Sequence, residues 1–126
     1  MIKKYIPKRG DLIHIDLDPT KGQEIKGERY AIVTTPYSFN KLGFIWACPI
    51  SLGIGDSAVR KSEEEDNLKL TVSLMNSDSS ISGRIFVHQH QSLDWRVRNL
   101  KFIEEAPRDI LDEVLSIIDA ILYSDE

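Results

Sequence analysis

The periodicity of the apolar residues changes once along this chain, at Pro107, and that change limits the folds open to it. Between Asp11 and Ile103 the apolar side chains come in short runs broken by Gly, Pro, Asn and charged clusters. Alternation at period two is the pattern of strands buried on one face. From Pro107 onward Ile110, Leu111, Val114, Leu115, Ile117, Ile118, Ile121 and Leu122 recur at spacings of three and four, one stripe on a helix. Fifteen or so residues make about four helical turns. Pro107 suits the first helical position, and Asp109, with Glu105 nearby, suits the positive helix end. Short strands followed by one helix exclude a βαβ architecture and predict a mainly β fold, a small curled sheet or barrel capped by a C-terminal helix.

The strands can be read in turn. Asp11 to Leu17 sets Ile13, Ile15 and Leu17 against His14 and Asp16, so one face is expected to be buried. Tyr30 to Thr35 is a β-prone run stopped by Pro36, which has no N–H for a ladder. "YSFNKLG" reads as a turn, with Asn40 and Gly43 tolerating positive φ, before Phe44 to Ser51 resumes an apolar strand in which Pro49 marks an end or an edge. Leu68 to Leu74 alternates, "NSDSSISG" is turn chemistry, Arg84 to Gln91 is extended, and Leu100 to Ile103 is a short last strand. Residues 52–66 mix two glycines with the charge run "EEED" and predict a surface loop, a candidate lid.

At 126 residues the chain is expected to form one domain, 1–126, with a single core. The longest apolar runs are too short to cross a bilayer, and the basic opening "MIKKYIPKR" lacks the apolar stretch of a secretory signal, which predicts a cytoplasmic protein without a membrane partner. A single cysteine, Cys48, cannot form an internal disulfide and suits a buried packing thiol. The net charge of −4 argues against a non-specific DNA coater. Ten of its 16 Lys and Arg residues lie in three stretches, residues 3–9, 21–29 and 96–101.

Phosphate-binding glycine loops, CxxC pairs, HExxH and GxSxG are all absent. His88 and His90 would share one face of a strand, but no third ligand is near, so no metal site is predicted and the two imidazoles are assigned to a groove or a dimer surface. What stands out is the connection from Asp18 to Glu28. It carries Lys21, Glu24, Lys26 and Glu28, followed by Arg29, far more charge than a strand turn needs. Glu24 and Arg29 flank Gly27, which lets the loop fold back so that a carboxylate and a guanidinium meet over a small ligand. A planar guanidinium matches a phosphate and a carboxylate accepts a proton, so the pair suits a phosphodiester; a surface ion pair is the plainer reading, and spacing alone leaves both open.

The stretch "RGDLIHIDLDPTKGQEIKGERYAIVTTPYSFNKLG" resembles the opening of the MazF/PemK toxins, "RGDLIWVDFDPTxGxEQxGxRPAVVLSPxxYN", and the likeness continues through "ACPIS" and through "HQHQSLDWRVR" against "DQVRSIDWRAR". The resemblance implies an SH3-like small β-barrel of the CcdB/MazF/PemK type with a C-terminal helix. It further implies a homodimer acting as the toxin of a type II toxin-antitoxin system, a sequence-specific endoribonuclease, or mRNA interferase. Its substrate would be single-stranded RNA, its inhibitor a cognate antitoxin protein, and DNA would be met only through that antitoxin. No metal and no cofactor are implied, because the ribose 2′-OH itself attacks phosphorus, leaving a 2′,3′-cyclic phosphate and a 5′-OH. Position by position, the catalytic set is Glu24, Arg29 and Ser51, the last where most members have threonine. Arg29 would stabilise the developing charge, Ser51 donate to a non-bridging oxygen, and Glu24 take or orient the 2′-hydroxyl proton. Lys21, Gln23, Lys26, His88, Gln89, Arg96 and Arg98 are the RNA-binding residues implied.

The chain departs from the pattern at Tyr30 (proline in the family), Ile25 (glutamine) and His88 (aspartate), and it has Phe86 and Gln23 where PemK-type members carry arginine and histidine. It is therefore nearer the MazF branch. His88 serves either as a replacement acid or as a packed or base-stacking residue. Two other functions remain open: a non-catalytic toxin of the CcdB type that binds a protein such as gyrase, and a member that binds RNA or antitoxin without turnover. The wide apolar stripe of the C-terminal helix predicts an edge for a two-fold partner.

Overall fold

Strand-forming residues between turn signals pair into one antiparallel sheet, which the C-terminal helix covers. The computed structural model describes residues 4–22, 24–52 and 70–125. Among them the elements are β1 (Asp11–Asp16), β2 (Glu28–Val33), a one-turn helix α1 (Tyr37–Asn40), β3 (Phe44–Ser51), β4 (Thr71–Ser73), β5 (Arg84–Phe86), β6 (Gln91–Asp94), β7 (Lys101–Glu105) and α2 (Arg108–Leu122). The strands run in the order β4-β5-β3-β2-β1-β7, with β6 also on β3. Gln23, Leu68, Lys69 and residues 53–66 of the expected lid loop lie outside the described residues.

β3 organises the sheet because one of its edges serves two partners. Its first half pairs with β6, from Phe44↔Asp94 to Ala47↔Gln91, and its last two residues pair with β5, Ile50↔Ile85 and Ser51↔Arg84. The predicted extended stretch from Arg84 to Gln91 is accordingly broken: a 3₁₀ turn at Val87–Gln89 separates β5 from β6. That turn lets the sheet bend. Likewise the turn expected after Pro36 contains α1, and Pro107 caps α2 from outside instead of occupying its first turn.

Apolar side chains fill both faces. Leu12, Ile32, Cys48, Ile50, Val72, Leu74, Ile85 and Val87 meet Ile110, Leu111 and Val114 of α2, while Ile13, Ile15, Leu17, Ile25, Ala31, Val33, Ile45, Ala47, Phe86 and Leu93 form a second cluster on the opposite face. The expectation that β1 buries one face holds only for its second half; Leu12 and Ile13 are both inaccessible, because α2 covers the side that alternation would leave wet. Cys48 is buried as expected, and burial pushes its thiol pKa up to about 12. The mainly β fold with a C-terminal helix is thus observed, although among the described residues the ladder is not closed: β4 and β7 are its two ends. The ends are joined by side chains instead, since Ser80 in the β4–β5 connection donates from its N–H to Glu104 of β7 at 3.1 Å and from its hydroxyl to the same carboxylate.

Candidate active site

The charged connection between β1 and β2 is a closed loop with a fastened neck. Leu17 N–H donates to the Gly27 carbonyl at 2.9 Å, and Gly27 N–H to Asp18 Oδ1 at 3.1 Å. Gly27 sits at φ +77°, a left-handed conformation that only glycine adopts without strain. Two side chains from the other end of the sequence hold the loop. Arg98 Nη1 donates to the carbonyls of Asp16 and Asp18, at 3.1 and 2.9 Å, and Gln89 Oε1 accepts from Ile25 N–H at 2.8 Å. Ile25 itself is buried in the second core cluster. Glu24 therefore stands beside an anchored residue, exposed, with Oε1 accepting from Lys21 N–H at 2.6 Å.

Arg29 lies at the start of β2, half-buried, its Nε donating to the Lys26 carbonyl at 2.9 Å. The β2–β3 ladder brings Tyr30 opposite Ile50, so one residue further along Arg29 comes beside Ser51. Alternation turns both away from Tyr30 and Ile50, onto the face that carries Ala31 and Ala47. Ser51 is 1% exposed, and its Oγ has no hydrogen-bond partner among the described residues. Such an orphan donor costs about 1–3 kcal/mol of folding free energy. The ladder thus joins two of the three catalytic candidates, and the loop carries the third. Close backbone approach seals the row: a Cβ on Gly83 would stand 2.6 Å from the Ser51 carbonyl oxygen.

Sequence reasoning missed one residue of this row. Ser51 pairs with Arg84 of β5, and Arg84 in turn with Ser73 of β4. Arg84 Nη1 donates to Thr71 Oγ1 at 3.0 Å. Its position was readable only as one polar residue in an extended run; that it faces Ser51 depends on the pairing.

The remaining RNA-binding candidates divide. Lys21, Lys26 and His88 are exposed, His88 lying over Phe86 with ring centroids 5.5 Å apart. The "LDWRVR" segment instead makes a brace. Asp94 Oδ1 accepts from Arg96 N–H at 3.2 Å, Trp95 Nε1 donates to the Asn40 carbonyl at 2.8 Å, and Arg96 Nη2 donates to the Lys41 carbonyl at 3.0 Å. Gly43, at φ +114°, leaves the space into which the Arg96 guanidinium fits; a Cβ there would be 3.0 Å from Arg96 Cζ. Asn40 is fully buried and also donates to the carbonyls of Pro7 and Thr35, both at 2.8 Å. The brace runs from this fixed corner to Arg98 and so to the loop.

His88 and His90 do not share a strand face, because His88 belongs to the 3₁₀ turn and His90 follows it. Thr34 Oγ1 lies 2.8 Å from His90 Nε2, the imidazole stands edge-on to Trp46, and burial lowers its pKa. Among the described residues no group of three or more His, Cys, Asp or Glu side chains is placed to hold a metal ion. Nor is any helix among them long and apolar enough to cross a membrane.

Comparison with known proteins adds three findings. A family model described as PemK-like, MazF-like toxin of type II toxin-antitoxin system matches residues 8–122. The endoribonuclease toxin MazF of Escherichia coli strain K12 is 39% identical over 74 residues, 56% of this chain and 67% of the relative. The fold is similar to the crystal structure of MazF from Deinococcus radiodurans, with a TM-score of 0.78 and 28% identity over 94% of this chain and 98% of that one, and to the MazF-containing MazE-MazF complex of the same organism, with a TM-score of 0.69 and 26% identity over 94% and 97%.

Proposed function

Because the chain belongs to the PemK-like, MazF-like toxins of type II toxin-antitoxin systems, we propose that it is a sequence-specific endoribonuclease that cleaves single-stranded RNA through the substrate's own 2′-hydroxyl. The observation that carries this reading is the Arg29–Ser51 pair: a guanidinium beside a buried hydroxyl without a partner among the described residues. An unsatisfied buried donor persists where function requires it, and a phosphate oxygen is the acceptor that suits it.

The steps follow from charge. Glu24 takes the 2′-OH proton, the 2′ oxygen bonds to phosphorus, and the bond from phosphorus to O5′ breaks. Phosphorus gains negative charge in the crowded intermediate, which Arg29 and the Ser51 hydroxyl stabilise by donating to its non-bridging oxygens. The leaving 5′ oxygen collects a proton from water or from the exposed His88. The products are a 2′,3′-cyclic phosphate and a 5′-OH, no protein nucleophile is consumed, and no metal or cofactor is required. Lys21, Lys26, Arg96 and His88 bind the flanking RNA, with Gln23 of the same loop.

The protein acts, in this reading, as one cytoplasmic toxin domain over 1–126, paired with a second copy and neutralised by a cognate antitoxin. The apolar end of the chain, where Ile121 and Leu122 of α2 and Tyr123 just after it are exposed, supports the pairing, and the MazE-MazF complexes of a similar protein support the antitoxin. The test is to incubate purified protein with a long RNA in EDTA, alongside Arg29→Ala, and to identify the new ends. Cleavage in EDTA with cyclic phosphate and 5′-OH ends is expected. Cleavage that EDTA abolishes and a divalent ion restores, or a wild-type protein that leaves RNA intact while binding a protein target, would reject it.

A further inference from the structure

Resting on the ribonuclease reading above, we infer that Arg84 is a second phosphate-contacting residue, closing on the same phosphate as Arg29 from the other side of Ser51. The ladders carry the argument. Ile15 pairs with Arg29, Arg29 lies beside Ser51, Ser51 pairs with Arg84, and Arg84 pairs with Ser73, so these residues form one row across β1, β2, β3, β5 and β4. They share a face. Ala31, Ala47 and Phe86, each an even number of residues along from the arginine or serine in its own strand, belong to one core cluster.

Neighbouring strands are about 4.8 Å apart, so the two arginine Cβ atoms stand roughly 10 Å apart with the serine between them. Both guanidiniums can converge above Ser51 across that gap. Like charges placed so close repel, and among the described residues no carboxylate pairs with Arg84: its hydrogen bond there goes to the neutral hydroxyl of Thr71. Thr71 holds one nitrogen and orients the fork, leaving the other N–H groups for an anion. Between the arginines sits the buried Ser51 hydroxyl with no partner among the described residues. Two cations about an unsatisfied hydroxyl donor are the chemistry of a phosphodiester subsite. The charge at phosphorus rises from one to two negative units on the way to the intermediate, so a second guanidinium favours that state over the bound substrate.

The experiment compares wild type, Arg84→Met and Arg84→Lys. Inorganic phosphate, added at constant ionic strength, is expected to raise the wild-type unfolding midpoint through binding to the folded state. Arg84→Met should lose at least half of that rise and Arg84→Lys should keep more of it. On an RNA made uncleavable by a 2′-deoxy nucleotide at the cut site, the slope of log affinity against log salt should flatten by about 0.7 in Arg84→Met, the value of one lost contact to a single strand. Single-turnover cleavage at saturating RNA should fall roughly 10²-fold, as for an oxyanion donor. Unchanged phosphate response and unchanged slope would overturn the assignment. Matching midpoints without phosphate establish that the variants fold. A wild-type protein that cleaves no RNA would sink the ribonuclease reading alone, and the phosphate response would still decide Arg84.

Discussion

Replacing Ser51 by alanine should make this protein more stable and less active at once. The side chain is 1% exposed and its hydroxyl has no partner among the described residues. Removing an unsatisfied buried hydroxyl recovers its desolvation penalty, about 1–3 kcal/mol, and the change from oxygen to hydrogen leaves only a minor cavity. Taking the lower end, about 1 kcal/mol, and an unfolding entropy of about 2.1 cal/mol/K per residue, a chain of this length should gain roughly 4 °C in Tm. Ser51→Thr supplies the contrast. It keeps the hydroxyl but adds a methyl group in a row where Gly83 already approaches the Ser51 carbonyl, so overpacking should lower stability by about 1–3 kcal/mol. Calorimetry on the three proteins, with single-turnover cleavage of one RNA, gives both readouts. Ser51→Ala should cleave on the order of 10²-fold more slowly. A Ser51→Ala protein that melts below wild type would mean that the hydroxyl is satisfied in the folded state, and the view of it as a donor held for substrate would fall.

Arg29→Ala should lose more activity than Ser51→Ala, because a charged donor contributes about twice a neutral one, while its circular dichroism stays unchanged; the opposite ranking would reassign Ser51. Gln89→Met should speed hydrogen exchange at the Ile25 amide, and Arg98→Met at Leu17 and Gly27, each lowering kcat by loosening Glu24; RNA affinity that collapses with unchanged exchange would instead make them direct RNA contacts. Burial lowers the His90 pKa in the folded protein, so the unfolded chain binds the proton more readily. Stability is then complete above the ordinary histidine value, about 6.5, and is lost as pH falls below it toward the folded pKa. Denaturant titrations from pH 7.5 to 5 should show a shallower loss in His90→Gln than in wild type, and parallel curves would refute the assignment.

Much of the fold was legible because its signals are local. A continuous apolar run marked β3 from Phe44 to Ser51 with the bounds observed, and the spacing of Ile110, Leu111 and Val114 marked α2 and its buried face. The loop of Glu24 was legible from charge that no turn requires. Less legible was anything that depends on what lies across a ladder. Leu12 could not be assigned to a core from alternation alone, since its cover, α2, comes from the far end of the chain. Nor was it legible that donors of Arg96 and Arg98 reach the backbone carbonyls of Lys41, Asp16 and Asp18, because those partners lie more than 50 residues away in the chain. Composition and periodicity by themselves determined a mainly β chain closed by a helix, and its charged loop, because these follow from residues near one another in sequence. Only the tertiary structure decided that Arg29, Ser51 and Arg84 share one row, because strand register is set by long-range packing, and a shift of one residue would turn the row to the other face.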